Sequence, residues 1–230
     1  MAAQKQDVIV ISLGGSLVAP DTIDTNFLRG FKNLILKHTK TGKKFVIIVG
    51  GGSICRTYQT AASALVSIKP EDLDMLGIHV THMNARLIKI MFDDFADDAI
   101  ITDPTGGARI KKSILIAAGW KPGFSTDYDA VMLAKRFKVT TILNLTNVDH
   151  VYDKDPRRHM YAKPLREISW GDFRKLVGEK WDPGLSAPFD PIAAKEAEKA
   201  KIAVVIMRGT DFDNVNNYLE GKDFVGTTIH

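Results

Sequence analysis

A single cysteine, Cys55, stands in the whole chain, which excludes an internal disulfide and any Cys/His spacing for zinc. Long apolar runs are missing too. Stretches such as 45–49 are about a quarter of a membrane span, so no transmembrane helix is expected. The opening MAAQKQDVIVIS has no basic segment leading into a long apolar core and a small-residue cleavage site. A secretory signal is therefore not expected, and a cytoplasmic address is. A strong excess of one charge is absent: 31 Lys and Arg face 27 Asp and Glu, a net +4. The basic residues are scattered rather than gathered on one element with aromatics between them. That balance suits an anionic small molecule and gives no nucleic-acid footprint. No repeat of 20–50 residues and no low-complexity linker appears. What remains is a chain of 230 residues, 45% hydrophobic and 25% charged, whose composition excludes the disordered and fibrous classes.

Strands and helices alternate along it. Residues 7–13 (DVIVISL) are apolar and β-branched and stop at Gly14-Gly15-Ser16; 26–37 place Phe27, Phe31, Leu34 and Ile35 at helical spacing. A second buried-strand run at 45–49 ends in Gly50-Gly51-Gly52, and a helix follows over about 53–65. The span 72–95 reads as one long helix with Leu73, Leu76, Val80, Met83, Leu87 and Met91 on a stripe, its methionines expected in the core. Further strands are expected at 99–102, 113–118, 139–145 and 202–207, with 148–152 continuing into a hairpin. Helices are expected at 126–136, 170–177, 191–200 and 213–219. Such alternation means βαβ units and a mostly parallel sheet with right-handed crossovers. One domain with two lobes is expected, divided near Phe124.

Three strand ends run into glycine and then a helix: Gly14-Gly15-Ser16, Gly50-Gly51-Gly52-Ser53 and the stretch 119–126 (GWKPGFST). Open α/β sheets bind ligands at such carboxyl ends. Glycines let the backbone approach phosphate oxygens, and free amides at a helix N-terminus supply donors and partial positive charge. One such loop is ordinary turn chemistry; three in one chain point to phosphorylated ligands. Neither the P-loop lysine pattern nor GxGxxG is present, which excludes a Walker NTPase and a Rossmann dehydrogenase.

The ordered segments LGGSLV, VIIVGGGSICR, DMLGIHVTHMNA, PGFSTDYDAVMLA, LTNVDHVYDKDP, FDPIAAKEA and GTTI resemble the uridylate (UMP) kinases of the amino-acid kinase family, nearest the archaeal-type branch. The resemblance runs from about residue 8 to 229. It implies a three-layer αβα sandwich around a mostly parallel sheet, transfer of the γ-phosphoryl of ATP to UMP with magnesium, and assembly as a homohexamer. Residues 1–124 would then form the UMP side and 125–230 the ATP side.

Site roles follow where residues match. Gly51 and Gly52 resemble the loop around the UMP phosphate, and Arg56 the arginine that clamps it, a task suited to a guanidinium fork. Arg56 also separates this chain from isopentenyl phosphate kinases, which carry a catalytic histidine on the corresponding loop. Asp74 matches the acid that accepts from the UMP ribose. Gly119, Pro122, Ser125 and Thr126 match the loop bordering uracil and phosphate. Asp127 matches the acid that organises the transfer centre, and by itself would also serve as a first-turn acid of a helix. Asp190 resembles a second buried acid beside it. Gly14, Gly15 and Ser16 would cradle the ATP phosphates; Thr146, Asn147, Tyr152 and Asp155 match the segment that meets the rest of that nucleotide.

Two departures stand out. Ser12 and Asn144 occupy positions where many relatives carry lysines that offset charge on the transferred group. The archaeal-type branch also tends to lack both. Magnesium, Arg56 and Lys121 are the candidates to supply that charge. A binder without turnover, acting as sensor or storage protein, and a kinase of another phosphorylated acceptor are the alternatives.

Overall fold

The computed structural model describes residues 7–107, 109–154, 159–178 and 187–230. In chain order the strands are Val8–Leu13 (β1), Lys44–Val49 (β2), Ala96–Ile101 (β3), Ile114–Ala117 (β4), Thr141–Thr146 (β5), Val151–Tyr152 (β6), Pro164–Leu165 (β7), Glu167–Ile168 (β8), Ala203–Arg208 (β9) and Thr227–Ile229 (β10). The helices are Gly15–Val18 (α1), Thr25–Thr39 (α2), Gly52–Leu65 (α3), Pro70–Phe92 (α4), Thr126–Phe137 (α5), Trp170–Val177 (α6), Pro191–Ala200 (α7) and Phe212–Leu219 (α8).

Alternation within the strands sets the layers. Ile11 and Leu13 of β1, with Phe45, Ile47 and Val49 of β2, join one apolar cluster; Val10, Val46 and Ile48 join a second on the opposite face. Helices α2, α4 and α8 cover the first face through Phe31, Ile88 and Val215, and α5, α6 and α7 cover the second through Val131, Phe173 and Ala194. Because both faces are buried, the strands read as continuous apolar runs rather than as alternating ones.

The eight-stranded sheet has the order β3-β4-β2-β1-β5-β9-β10-β8 and is parallel except where β10 meets β9. Strands from the first half of the chain lie on one side of the β1–β5 seam and those from the second half on the other. This is the expected αβα sandwich, with β1 at the point where the strand order reverses direction, the place where such sheets open a crevice.

Three expectations shift. The long helix begins at Pro70, which fits the first turn, and stops at Phe92, where Asp93 takes φ 37° and a 3-10 turn covers Asp93–Phe95. Its buried residues are Gly77, Ile78, Val80, Thr81, Asn84, Ala85, Ile88 and Phe92; of the expected stripe Val80 is buried and Leu87 and Met91 pack partly against the core, whereas Met83 is 72% exposed. The helix is apolar around much of its circumference, and its packed face is rotated from the expected stripe: Thr81 and Asn84 meet the glycine turns, while Ile88 and Phe92 enter the core. Strand β3 starts earlier than expected, within an acidic stretch, because buried Asp97 accepts the amides of Lys111 (3.0 Å) and Lys112 (2.6 Å). The segment after β5 does form an antiparallel pairing, β6 with β7.

Candidate active site

The glycine turns continue the sheet and then meet. The Gly14 amide donates to Leu145 O and the Gly50 amide to Leu13 O, both at 2.9 Å, so the first two turns leave adjacent strands side by side. A Cβ on Gly15 would collide with the backbone of Gly50, Gly51 and Gly52, and Gly52 itself holds φ 69°. Only residues without side chains allow that approach. Ser53 Oγ donates to Ala19 O (2.8 Å), and buried Asn84 of α4 donates its Nδ2 to Gly50 O (2.9 Å) and Gly51 O (3.3 Å). The two turns are thus fixed from both sides.

What these turns present is unmet hydrogen-bonding capacity. Helices α2, α5, α6, α7 and α8 have side-chain caps from Asp24, Ser125, Ser169, Asp190 and Asp211. Helices α1 and α3, which begin at the glycine turns, have neither a side-chain cap nor an acid in the first turn. Their leading amides have no side-chain partner, an arrangement able to receive an anion.

The third turn closes over the space beside the second. The Gly119 amide donates to Thr81 Oγ1 (2.8 Å), and His82 Nε2 donates to the Gly119 carbonyl (2.8 Å). The Gly123 amide donates to Asp74 Oδ2 (2.8 Å), and Ser125 caps α5 by accepting from the Tyr128 amide (3.2 Å). A cleft of about 220 Å³ results, walled by Gly51, Gly52, Arg56 and Asp74 on one side and by Gly119, Ser125, Thr126, Asp127 and Asp190 on the other. Burial raises the Asp74 carboxyl, and the Gly123 amide pulls the other way.

At the cleft's inner end stand two acids. Asp190 caps α7, its Oδ1 accepting from the Ala193 amide (2.8 Å), while its own amide donates to Asp127 Oδ2 (3.1 Å). Ser12 Oγ donates to Asp127 Oδ1 (2.9 Å). Burial, and then the Asp190 charge, push Asp127 up to about 7 against those two hydrogen bonds; burial raises Asp190 as well. Asn144, beside Ser12 in the β1–β5 register, donates Nδ2 to Pro188 O (2.9 Å). The two positions that lack lysine are therefore occupied by neutral groups with defined partners.

The residues assigned to the second nucleotide lie along the β1–β5 side and are not among those lining this cleft. Gly14 abuts Leu145 and Thr146, Asn147 follows on the same strand end, and the Tyr152 ring lies edge-on to His150. Asp155 falls outside the described residues. Lys121 and Pro122 sit on the third turn; Lys121 is exposed, its ammonium 3.9 Å from the centroid of the Trp120 ring. Four contributors went unassigned in the sequence: Ser12 as partner of Asp127, Asn84 and Thr81 as anchors of the turns, and Arg208, which makes a two-pronged pair with Asp149 (2.6 and 2.9 Å) at the second-nucleotide end. Thr81 and Asn84 stood within one quoted motif and Ser12 was singled out only for lacking a lysine; Arg208 carried no local signal.

A mostly parallel sheet covered by helices on both faces, with a cleft at the glycine turns that end its strands, defines an α/β protein of the ligand-binding open-sheet class. The chain belongs to the amino acid kinase family, whose profile matches residues 7–208. It is 31% identical to a uridylate kinase of Thermoplasma volcanium over 96% of both chains. It is 32% identical to a uridylate kinase of Methanospirillum hungatei, covering 96% of this chain and 94% of that one. The crystal structure of uridylate kinase from Archaeoglobus fulgidus superposes with a TM-score of 0.80 at 28% identity, covering 97% of this chain and all of that one.

Proposed function

We propose that this protein is an ATP-dependent UMP kinase: an oxygen of the UMP phosphate attacks the γ-phosphorus of ATP, the bond to the bridging oxygen of ADP breaks, and UDP and ADP leave. The observation that carries the reading is a cleft lined by the second and third glycine turns, with the first turn packed directly against the second, and with no side-chain cap on the helix that starts at either of the first two turns. Similarity to archaeal uridylate kinases over nearly the full length supports the choice of UMP as acceptor.

The nucleophile is already an anion, so the protein's work is to align two polyanions and offset their repulsion. In this reading Gly51, Gly52 and the α3 amides bind the UMP phosphate and Arg56 grips two of its oxygens. Asp74 accepts from the ribose, and Gly119, Pro122, Ser125 and Thr126 border the base. Gly14, Gly15 and Ser16 take the ATP phosphates, with Thr146, Asn147, Tyr152 and Asp155 along the remainder. Asp127 and Asp190 order the junction. An Asp127 held near neutrality adds less negative charge there than an ordinary carboxylate would. Magnesium would come bound to the ATP phosphates and would supply positive charge there; among the described residues no group of three acids, histidines or cysteines is placed to hold it. Arg56 adds to that charge, and Lys121 is the third source.

The division near residue 124 then gives a UMP lobe and an ATP lobe. A homohexamer is the proposed assembly. Tyr58 and Leu65 of α3 and Met83 and Ile90 of α4 are exposed apolar side chains that an interface between copies would cover. A cytoplasmic setting agrees with the lone cysteine.

A coupled ADP-release assay with UMP, CMP, AMP and isopentenyl phosphate side by side tests the reading. UMP should be turned over well ahead of the rest. Equal rates on CMP would remove the uracil preference, and tight binding of both nucleotides without turnover would make the protein a binder.

A further inference from the structure

Asp129 is an acid that the reading above does not use. It lies in the first turn of α5, two residues after Asp127, and is 1% exposed. Its Oδ2 accepts from the Trp120 amide at 3.1 Å, and Oδ1 has no hydrogen-bond partner among the described residues. Burial pushes the group up to about 8, with the charges of Asp127 and Asp103 acting in the same direction and the Trp120 amide against it. An unpartnered buried carboxyl costs stability, and an apolar residue of similar shape would avoid that cost.

The hydrogen bond it does make reaches the cleft. Trp120 and Phe124 pack ring to ring at 5.4 Å, and Phe124 packs on Tyr128 at 4.4 Å. Phe124 lines the cleft beside Gly119 and Ser125. The turn's other main-chain ties run from Gly119 to Thr81 and His82 and from Gly123 to Asp74, and the Trp120 amide is tied to Asp129. We propose that Asp129 is a positioning residue: through the Trp120 amide it holds Trp120 against Phe124, and so fixes the aromatic ring that lines the acceptor pocket. This rests on the reading of the cleft as the UMP side.

Two substitutions separate positioning from simple stability. Asp129→Leu keeps the volume and removes the acceptor, while Asp129→Asn keeps an oxygen for the Trp120 amide. The Leu variant should fold at least as stably as the parent. Its KM for UMP should rise about tenfold with KM for ATP little changed, and the Trp120 amide should exchange faster with solvent. Asn should restore both readouts. The inference is overturned if Leu leaves the UMP KM and the Trp120 exchange at parental values, if both KM values rise together, or if Asn behaves as Leu does. A parent protein without UMP turnover defeats the proposed function instead; the exchange of the Trp120 amide then still decides whether Asp129 holds the turn.

Discussion

Asp127, Asp129 and Asp190 put three carboxyl groups into or beside one crevice, and each is raised chiefly by burial. A carboxyl whose folded value lies above its unfolded value binds more protons in the folded state. Stability is then fully present below the unfolded value, near 3.8, and is lost as pH rises through the folded values of about 7 and about 8. Thermal denaturation of the ligand-free protein should show the melting temperature falling between about pH 5 and pH 8. Asp129→Asn, which has no proton to lose, should flatten that slope; an unchanged slope would mean that Asp129 does not titrate in the window. Arg56 is the other residue on which the site's chemistry turns. Arg56→Ala should lower kcat/KM for UMP by a factor that corresponds to about 2–4 kcal/mol, with KM for ATP nearly unchanged, in steady-state assays varying each substrate in turn.

At the scale of elements, the turns matter more than the helices they start. Gly15 lies against the backbone of Gly50–Gly52, so Gly15→Ala must displace one turn or the other. Calorimetry should show impaired binding of both nucleotides and a lower melting temperature, whereas loss of one nucleotide alone would contradict the shared-wall geometry. These turns were legible in the sequence because a β-branched run stopped by glycines is a local signal, as at 7–13 and 45–49. The helix at Pro191–Ala200 was legible for the same kind of reason, an Asp-Pro start before a 3.6-residue pattern. The face of α4 was legible only in part: Val80 of the expected stripe is buried but Met83 is exposed and Ile88 packs instead, a rotation that tertiary packing sets. The partners of Asp127 were hidden in another way. Ser12 lies 115 residues away along the chain, and the two meet only because β1 and α5 pack across the sheet.

For the whole molecule, the sheet order decides how the two nucleotide sites relate. Strands β2 and β1 end in the turns assigned to UMP and to the ATP phosphates, and β5 ends in the rest of the ATP segment, so the proposed substrates lie over consecutive strand ends. The same arrangement leaves α3 and α4 outward with apolar residues exposed. Met83→Glu should shift sedimentation from a homo-oligomer toward smaller species while the melting temperature of the isolated subunit holds; a parent protein that sediments as a monomer at micromolar concentration would remove the proposed assembly. The most direct measurement is a crystal structure with UMP and a non-hydrolysable ATP analogue bound together. We expect the acceptor phosphate oxygen to lie about 3–3.5 Å from the γ-phosphorus, in line with its leaving oxygen, beside Asp127. Two nucleotides in separate clefts, with their phosphates apart, would contradict direct transfer between them.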